Sequence, residues 1–442
     1  MPMKISPARA IAFEILLKVT TTDAHSDEQL RSREVDALGV QDRALATTLV
    51  MGTLRWQMKL DARIRPLLAR PLAKLAPAVE AALQLAAFQL LYLDRIPAHA
   101  AIGESVELVK RAGETYAAGM VNAVLRKLAR LPRACEQSGE SAEEFAHSRW
   151  MVERWTRFYG REAAIAICAN DQQPAPICLR LAHPEAEQSL AEQGVELEAG
   201  EFLVDARRVV RGDVIRSEAF RSGWVRIQDE GSQLVAELVG RGTNILDTCA
   251  APGGKTAILA ERNPEASVTA LDVSRRRLDL MQRNFSGDRI RFAVEDAAQV
   301  RFEPDYDLIL CDVPCTGTGT IGRNPEIRFR VNVEEIARQH GRQVRILLNA
   351  LDGVAPGGRL LYSTCSLEPE ENEAVVAECL AQRSGFGVIA MDEEISRLER
   401  EGVIHAEGAA KLRATAMRGK CLRTLPGVHH CDGFFGALLM RQ

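Results

Sequence analysis

The fold class of the C-terminal half of this chain can be predicted from one segment, residues 244–272, NILDTCAAPGGKTAILAERNPEASVTALD. It contains an apolar strand at 244–248, a loop of small residues, a helix, and a second apolar strand at 267–272. Continuous apolar strands of this kind belong to parallel sheets that are covered on both faces. The segment therefore predicts a doubly wound α/β domain, whose ligands bind beyond the carboxyl ends of the strands.

The same alternation of strands and helices continues towards the C-terminus. Further strands are predicted from short apolar runs at 290–295, 307–312, 359–364, 386–390 and 433–440. We predict that they form one Rossmann-like α/β domain over residues 226–442, with a mainly parallel sheet.

The N-terminal part of the chain has a different pattern. Its apolar residues recur at helical spacing, and no stretch alternates like a strand. Prolines separate the helical segments. The pattern predicts an all-α domain over residues 1–135.

The region between these domains, residues 136–225, has mixed character. It includes most of a polar, acidic linker predicted at 134–145, and an amphipathic helix follows at 147–160. Short alternating pieces at 177–182, 201–206 and 213–220 then surround a helical segment at 185–194. This order predicts a small α+β module, so that the whole chain is multidomain.

Composition favours a soluble, reduced protein. The chain is 46% hydrophobic and 26% charged, and its longest uncharged apolar run, 81–93, is too short to cross a bilayer. No secretory signal is visible, and the ten cysteines lack paired short spacings. We expect a cytoplasmic monomer without membrane or metal partners, since the Cys/His-containing stretch at 421–431 fits no zinc spacing.

Charge is distributed unevenly along the chain. Residues 1–133 contain 19 Lys and Arg against 13 Asp and Glu, a local net charge of +6, whereas the other 309 residues sum to −10. A basic domain on an acidic chain suggests a nucleic-acid partner, although a solvated surface would have a similar composition. Two basic clusters stand out in this part: Arg55, Lys59, Arg63 and Arg65, and Arg126, Lys127, Arg130 and Arg133.

The loop after the first α/β strand, DTCAAPGGKT (247–256), is the candidate cofactor site. Its small residues and two glycines allow the backbone to approach a ligand closely, but neither phosphate-binding glycine pattern is present. Asp272 ends the second strand, 25 residues after Asp247, which suits a carboxylate that binds a ribose diol. Asp296 follows the third strand, where it could accept from an adenine amino group. An adenosyl ligand without phosphates is indicated, and this points to S-adenosylmethionine. Asp272 could also cap the next helix.

Two further strand ends place Asp312, Cys315 and Cys365 near one pocket. A thiolate that adds to carbon 6 of a pyrimidine makes carbon 5 nucleophilic enough to take a methyl group. A base then removes the carbon 5 proton and the thiol leaves. A carboxyl group such as that of Asp312 could bind N3 and N4 of cytosine. Cys365 precedes a helix expected from Glu368, but the residue types leave open which cysteine attacks.

Four motifs resemble those of the RNA 5-methylcytosine methyltransferases of the Nop/Sun family. They occur in family order: QDEGSQLVAELV (228–239), DTCAAPGGKT (247–256), DVPCTGTG (312–319) and YSTCSLEPEEN (362–372). The helical part resembles a NusB-type RNA-binding domain through DRALATTLVMGTLRW (42–56) and GMVNAVLRKL (119–128). Together these features resemble the bacterial RsmB (Sun/Fmu) group, whose substrate is a cytosine in 16S ribosomal RNA. The α+β module resembles the family's RRM-like module.

The resemblance also implies roles for single residues. Cys365 would be the nucleophile, Cys315 would assist product release, and Asp312 would contact both the target base and the cofactor. The cofactor would be wrapped by Cys249, Ala250, Ala251, Pro252, Gly253, Gly254 and Lys255, with Asp272 at its ribose and Asp296 at its adenine. The segment 321–330 would contact RNA, although Gly322 replaces one of two typical adjacent arginines.

Other functions would share some of these features. A DNA methyltransferase would share the chemistry but would use the Pro-Cys cysteine and lack the NusB-like helices. An enzyme acting on another RNA, such as tRNA, or a non-catalytic RNA-binding scaffold, would keep the helices. A dinucleotide oxidoreductase fits only the fold class. Because the base must enter a pocket at the strand ends, we expect an unpaired or extruded cytosine.

Overall fold

The computed structural model describes residues 4–71, 74–131, 146–285 and 289–442. The predicted linker at 134–145 and Arg133 of the second basic cluster lie outside these residues. Contacts divide the chain into two compact units: Met1–Pro174 with Ile321–Arg330, and Ala175–Thr320 with Val331–Gln442. No helix in the described ranges is long and apolar enough to cross a membrane.

The described helices and strands are numbered in chain order. The helices are α1 Pro7–Thr21, α2 Ser26–Leu30, α3 Arg33–Asp36, α4 Val40–Ile64, α5 Pro77–Tyr92, α6 Ala98–Arg111, α7 Ala118–Leu128, α8 Arg149–Tyr159, α9 Arg161–Asp171, α10 Ala186–Glu192, α11 Glu218–Arg221, α12 Glu230–Leu238, α13 Gly254–Arg262, α14 Arg275–Gln282, α15 Ile327–Arg330, α16 Val333–Asp352, α17 Glu373–Gln382, α18 Met391–Arg400 and α19 Ala406–Lys411. The strands are β1 Cys178–Leu181, β2 Glu196–Ala199, β3 Ala206–Arg211, β4 Val225–Ile227, β5 Asn244–Asp247, β6 Ser267–Asp272, β7 Ile290–Val294, β8 Tyr306–Asp312, β9 Val354–Thr364, β10 Phe386–Ile389, β11 Met417–Arg418, β12 Cys421–Arg423 and β13 Phe435–Arg441.

The first unit is helical in its described residues, as predicted. Helix α5 is apolar on almost every side and is therefore buried against α1, α4, α6 and α7. Pro77 occupies the first turn of α5 and Pro97 caps α6, positions where a missing N–H costs little. The prolines thus begin helices in this domain.

Three arginines of the first unit pack within it, and the RNA contact expected of the segment 321–330 stays a prediction. Arg55 is buried and donates from Nη2 to the carbonyl of Gly322 at 3.3 Å, so it does not belong to an exposed basic cluster. Arg328 is also buried, and burial lowers its pKa to about 10. Arg330 donates to the carbonyl of Ala24 at 2.6 Å, just beyond the end of α1. The last two belong to the segment 321–330 and are used for packing inside the unit.

The small α+β module contains an antiparallel sheet in the order β2-β3-β1-β4, with α10 and α11 packed against one face. The strand pieces expected at 201–206 and 213–220 are wrong. The carboxylate of Glu230 accepts the N–H groups of residues 201, 202 and 203, which are then not available to a sheet ladder. Ser217 caps α11 by accepting from the N–H of Phe220 at 3.1 Å, and such local bonds favour a turn over a strand.

Within the described ranges the larger sheet has nine strands, in the order β11-β12-β13-β9-β8-β5-β6-β7, with β10 also paired to β13. Strands β5 to β9 are parallel to one another, and the later strands are antiparallel. The strand predictions from 244 onward are confirmed within a few residues, whereas the short β11–β12 hairpin was not predicted.

Neighbouring residues of the central strands contribute to two different cores. Ile245 packs in a cluster with Leu308 and Leu361, while Leu246 packs in another with Ile309. Both faces of the sheet are therefore covered, which explains the continuous apolar runs. Strands β6 and β7 follow β5 on one side, whereas β8 and β9 lie on its other side. The strand order therefore reverses between β5 and β8. Ligands bind at such a switch point in open α/β sheets.

Candidate active site

The loop between β5 and α13 is shaped by its glycines. Gly253 has φ = +105°, a conformation that strongly favours glycine, and α13 begins at the next residue. A Cβ on Gly253 would lie 2.7 Å from Cγ of Met281. A Cβ on Gly254 would lie 3.1 Å from Cδ of Gln228. The tight turn between strand and helix thus needs both small residues.

Asp272 holds this loop from the end of the adjacent strand β6. Its Oδ2 accepts the N–H of Ala251 at 3.1 Å, and its Oδ1 accepts the N–H of Ser274 at 2.8 Å. The cap of α14 is Ser274, whose side chain accepts from the N–H of Arg277. The alternative reading of Asp272 as the helix cap is therefore wrong. A carboxylate has further lone pairs, so both contacts leave room for ribose hydroxyls.

Asp247, the last residue of β5, has an unsatisfied carboxylate oxygen. Its Oδ2 accepts from the Thr256 hydroxyl at 2.7 Å, but no described residue pairs with its buried Oδ1. Burial raises the pKa of Asp247 to about 7. An orphaned carboxylate at the start of the loop fits a ligand that carries an ammonium group, as S-adenosylmethionine does. The residues present are thus compatible with that cofactor.

Asp296 follows β7, as expected, and organises its own turn. Its Oδ1 accepts the N–H of Ala298 at 3.0 Å, and its Oδ2 accepts from the Gln299 side chain at 2.7 Å. Its contacts among the described residues are local, and its proposed role at adenine stays a prediction.

Asp312 and Lys255 form the charged centre of the site. The Lys255 Nζ lies 2.7 Å from Oδ2 of Asp312, and the Ser363 hydroxyl donates to Oδ1 at 2.6 Å. The same ammonium lies 5.1 Å from the centroid of the Phe434 ring. Burial alone would lower the pKa of Lys255, but the neighbouring Asp312 outweighs this effect and raises it. Lys255 is therefore a permanent cation at the end of β8.

The two cysteines meet, as their positions in the sequence suggested. Sγ of Cys315 lies 3.4 Å from Sγ of Cys365, although 50 residues separate them in the chain. The hydrogen bond to Cys365, followed by burial, raises the pKa of Cys315 well above its usual value. Cys315 is therefore held as a protonated thiol. The helix expected to begin at Glu368 begins instead at Glu373, after a 3₁₀ turn at Pro369–Glu371.

Family models match three successive parts of the chain. They describe the NusB family over residues 6–130, a ferredoxin-like domain of RsmF/B-like methyltransferases over 147–212, and 16S rRNA methyltransferase RsmB/F over 238–440. A protein of Bacillus subtilis named probable ribosomal RNA small subunit methyltransferase B is 33% identical, over 98% of each chain. The chain belongs to the RsmB/F family.

Two further comparisons agree with this membership. The ribosomal RNA small subunit methyltransferase B of Pseudomonas syringae is 34% identical over 85% of this chain and 87% of its own. The crystal structure of PH0851 matches with a TM-score of 0.81 at 24% identity, over 99% of this chain and 100% of that one, which shows a common fold. The family and the predicted order of NusB-like, small α+β and methyltransferase domains are confirmed. The exact boundaries after residues 135 and 225 stay predictions.

Sequence reasoning missed three residues of this family member's site. The sequence pattern gives Asp247 no role beyond the end of the first strand, and it gives none to Ser363, which orients Asp312. Glu371 lies in a motif that predicts a helix start, whereas it is fully buried beside the two cysteine loops. The acidic cluster in SLEPEEN was the available signal, but a sequence does not show which of several glutamates turns inward.

The stretch at 421–431 has a structural role in this fold. His429 is buried, its Nδ1 accepts the N–H of Leu425 at 2.8 Å, and its Nε2 lies 3.0 Å from the Thr415 hydroxyl oxygen. Burial lowers the pKa of His429 to about 4, so that it stays neutral. In the described ranges, no three His, Cys, Asp or Glu side chains are grouped for a metal ion.

Proposed function

We propose that this protein methylates carbon 5 of a cytosine in 16S ribosomal RNA, with S-adenosylmethionine as donor and a covalent bond between Cys365 and the base. The observation that carries the proposal is the meeting of two thiols, 3.4 Å apart, at the strand ends that also carry the Asp312–Lys255 pair. The names of the family and of its relatives support ribosomal RNA as the substrate.

The loop Cys249–Lys255 and the acids that flank it would hold the cofactor. Asp247 would offer its unpaired oxygen to the ammonium group, and Asp272, which already holds the loop at Ala251, would bind the ribose. Asp296 would bind the adenine. When bound, S-adenosylmethionine supplies an electrophilic methyl group.

Attack on the base begins at Cys365. Its sulfur adds to carbon 6 as a thiolate, the nucleophilic form of cysteine. The ammonium of Lys255 interacts electrostatically with Cys365. Asp312 accepts from the exocyclic N4 amino group and holds the ring, while Ser363 and Lys255 keep the carboxylate in place. Addition at carbon 6 raises the electron density at carbon 5, which then takes the methyl group.

Release of the product uses Cys315. While Cys365 is free, its sulfur accepts the Cys315 hydrogen bond, and this is the largest cause of the raised pKa of Cys315. Once Cys365 is bonded to carbon 6, that cause is removed and the Cys315 thiol passes its proton to water more easily. The Cys315 thiolate then removes the carbon 5 proton, the carbon 5–carbon 6 double bond forms again, and Cys365 leaves.

RNA recognition is assigned to several parts of the chain. The NusB-like domain supplies basic residues such as Arg126, Lys127 and Arg130 for phosphate contacts. A base that must reach Cys365 at the strand ends has to be unpaired or extruded from its helix. The protein acts as a cytoplasmic monomer in this proposal.

The test compares wild type, Cys365→Ala and Cys315→Ala, with labelled cofactor and unmodified 16S ribosomal RNA. We expect no transfer and no covalent protein–RNA adduct with Cys365→Ala, and an adduct that accumulates with Cys315→Ala. Cys379→Ala is a matched control, because this thiol is buried on α17, outside the two cysteine loops.

If Cys315→Ala gives no transfer and no adduct while Cys365→Ala accumulates the adduct, the attack on the base is made by Cys315. If wild type labels transfer RNA or DNA and leaves ribosomal RNA unmodified, the proposed substrate is wrong. If it labels none of these while binding RNA, the protein is a scaffold.

A further inference from the structure

Glu371 lies between the two cysteine loops and accepts four hydrogen bonds. Its Oε1 accepts the N–H of Thr316 and the side-chain amide of Gln343, each at 2.9 Å. Its Oε2 accepts from the hydroxyls of Thr316 and Ser366. The residue is fully buried, so these donors replace water around its carboxylate.

The donors belong to different segments of the chain. Thr316 follows Cys315 directly, Ser366 follows Cys365 directly, and Gln343 lies on α16. The main chain of Glu371 is held as well, because its carbonyl accepts from the Tyr362 hydroxyl on β9 at 2.6 Å. The carboxylate of Glu371 therefore links both cysteine loops to a helix, and its main-chain carbonyl links them to the sheet.

The two cysteines depend on this link to different degrees. Cys365 directly follows β9, and its carbonyl accepts the N–H of Gly319 at 2.9 Å. Cys315 lies beyond the end of β8, in a loop without regular structure. Other contacts of that loop include Gln343 to the Pro314 carbonyl at 3.0 Å and Leu367 N–H to the Thr318 hydroxyl at 2.8 Å, neither of which involves Thr316. Thr316, the residue next to the Cys315 thiol, is bonded to Glu371 through both its N–H and its hydroxyl. Its hydroxyl oxygen also lies 3.2 Å from that of Ser366, which itself donates to Glu371.

We propose that Glu371 is a positioning residue that holds the Cys315 thiol against Cys365, so that it governs product release more than attack on the base. The inference rests on the proposed function. In the step concerned, the carbon 5 proton passes to the Cys315 sulfur, and the electron pair of the C–H bond forms the carbon 5–carbon 6 double bond. As this double bond forms, the carbon 6–sulfur bond breaks and its electron pair returns to Cys365. A displaced Cys315 sulfur cannot reach the proton, although Cys365 can still form its bond.

The experiment uses the full chain with Glu371→Ala and Glu371→Gln. Single-turnover mixing with ribosomal RNA and labelled cofactor gives the rate of adduct formation and the rate of adduct decay. For Glu371→Ala we expect decay to slow by about tenfold or more, from lost hydrogen bonds to a charged group, and adduct formation to slow by less than about threefold. Glu371→Gln should recover most of the decay rate, because an amide can still bond to all three partner side chains.

Glu230→Ala is the matched control. Glu230 is also buried and accepts three backbone N–H groups, but it holds residues 201–203, away from the cysteine loops. We expect it to lower stability and to leave the ratio of the two rates unchanged.

If Glu371→Ala does not fold, Thr316→Val replaces it, because this change removes one hydroxyl donor at nearly constant shape. Decay should then slow while adduct formation is kept. The inference would be wrong if the Glu371→Ala or Thr316→Val variant slowed adduct formation and adduct decay equally, or slowed formation while adduct decay stayed normal. Absence of any adduct in the wild type would instead refute the proposed function, so the two failures are distinguishable.

Discussion

Replacement of Asp247 by asparagine should stabilise the protein and weaken cofactor binding. The Asp247 side chain is buried, one of its oxygens pairs with the Thr256 hydroxyl, and the other has no partner among the described residues. Asparagine keeps the shape and can still accept from Thr256. The substitution removes the negative charge of the carboxylate, which is unfavourable at a buried position.

The magnitude follows from the pKa of Asp247, which burial raises from 3.8 to about 7. Between these values the folded protein keeps a proton that the unfolded chain releases, so the free energy of unfolding falls as the pH rises. Above about pH 7 both states are ionised, and the penalty reaches its upper limit of about 4 kcal/mol. Below the ordinary pKa both states are protonated and the penalty disappears.

The assay is denaturant unfolding of wild type and Asp247→Asn, without cofactor, at several pH values from 5.5 to 8. We expect the free energy of unfolding of Asp247→Asn to exceed that of wild type by a margin that grows by about 2 kcal/mol between pH 5.5 and 7 and then levels off. Asp279→Asn, at an exposed position on α14, is the control and should show no such growth. Calorimetric titration should show affinity for S-adenosylmethionine lowered by about tenfold in Asp247→Asn, from the lost charge-assisted bond.

A difference in stability that does not depend on pH would refute the reasoning about burial. So would a variant that is less stable than wild type at pH 8, since that result would mean a well-paired carboxylate. Unchanged cofactor affinity would refute only the assignment of Asp247 to the ammonium group.

Two other substitutions test how the second unit is held together. Gly319→Ala would place a Cβ 2.8 Å from the Cys365 carbonyl oxygen and in overlap with that of Gly433, so we expect a loss of about 1–3 kcal/mol in thermal unfolding and a loss of methyl transfer. The control is Gly341→Ala on α16, where the new Cβ would lie 3.9 Å from Nη1 of Arg345. Equal melting temperatures for Gly319→Ala and wild type would contradict this. Glu237→Gln would remove the carboxylate that lies 2.9 Å from the buried guanidinium group of Arg180, which would keep the Glu261 carboxylate at 3.3 Å as a counter-charge. We expect a cost of about 1.5–3 kcal/mol in denaturant unfolding, and a Glu237→Leu/Arg180→Met double variant should recover part of it. Failure of the double variant to recover stability would show that the pair itself is strongly stabilising.

The small α+β module shows where local sequence patterns mislead. The alternating stretch at 201–206 was expected to be a strand, but the carboxylate of Glu230 binds the backbone N–H groups that a ladder would need. Arg55 was grouped with surface cations by its spacing, yet it is buried against the carbonyl of Gly322. Both errors come from partners far away in the chain, which no local pattern contains.

The sequence by itself determined the class of each domain, the strands of the α/β sheet, and the motifs that carry the resemblance to the family. These features depend on periodicity and on turn chemistry, both of which are local. It also indicated that Cys315 and Cys365 share a pocket, because the ends of neighbouring parallel strands lie at one edge of a sheet.

Which groups pair within that pocket depends on the tertiary structure. It placed the two sulfurs 3.4 Å apart, joined Lys255 to Asp312, left one oxygen of Asp247 unpaired and turned Glu371 inward. The charge state of a buried group depends on the few atoms that replace its water, and those atoms come from distant parts of the chain. For this reason the residue types near the site could be predicted from the sequence, while the roles proposed for Asp247 and Glu371 required the fold.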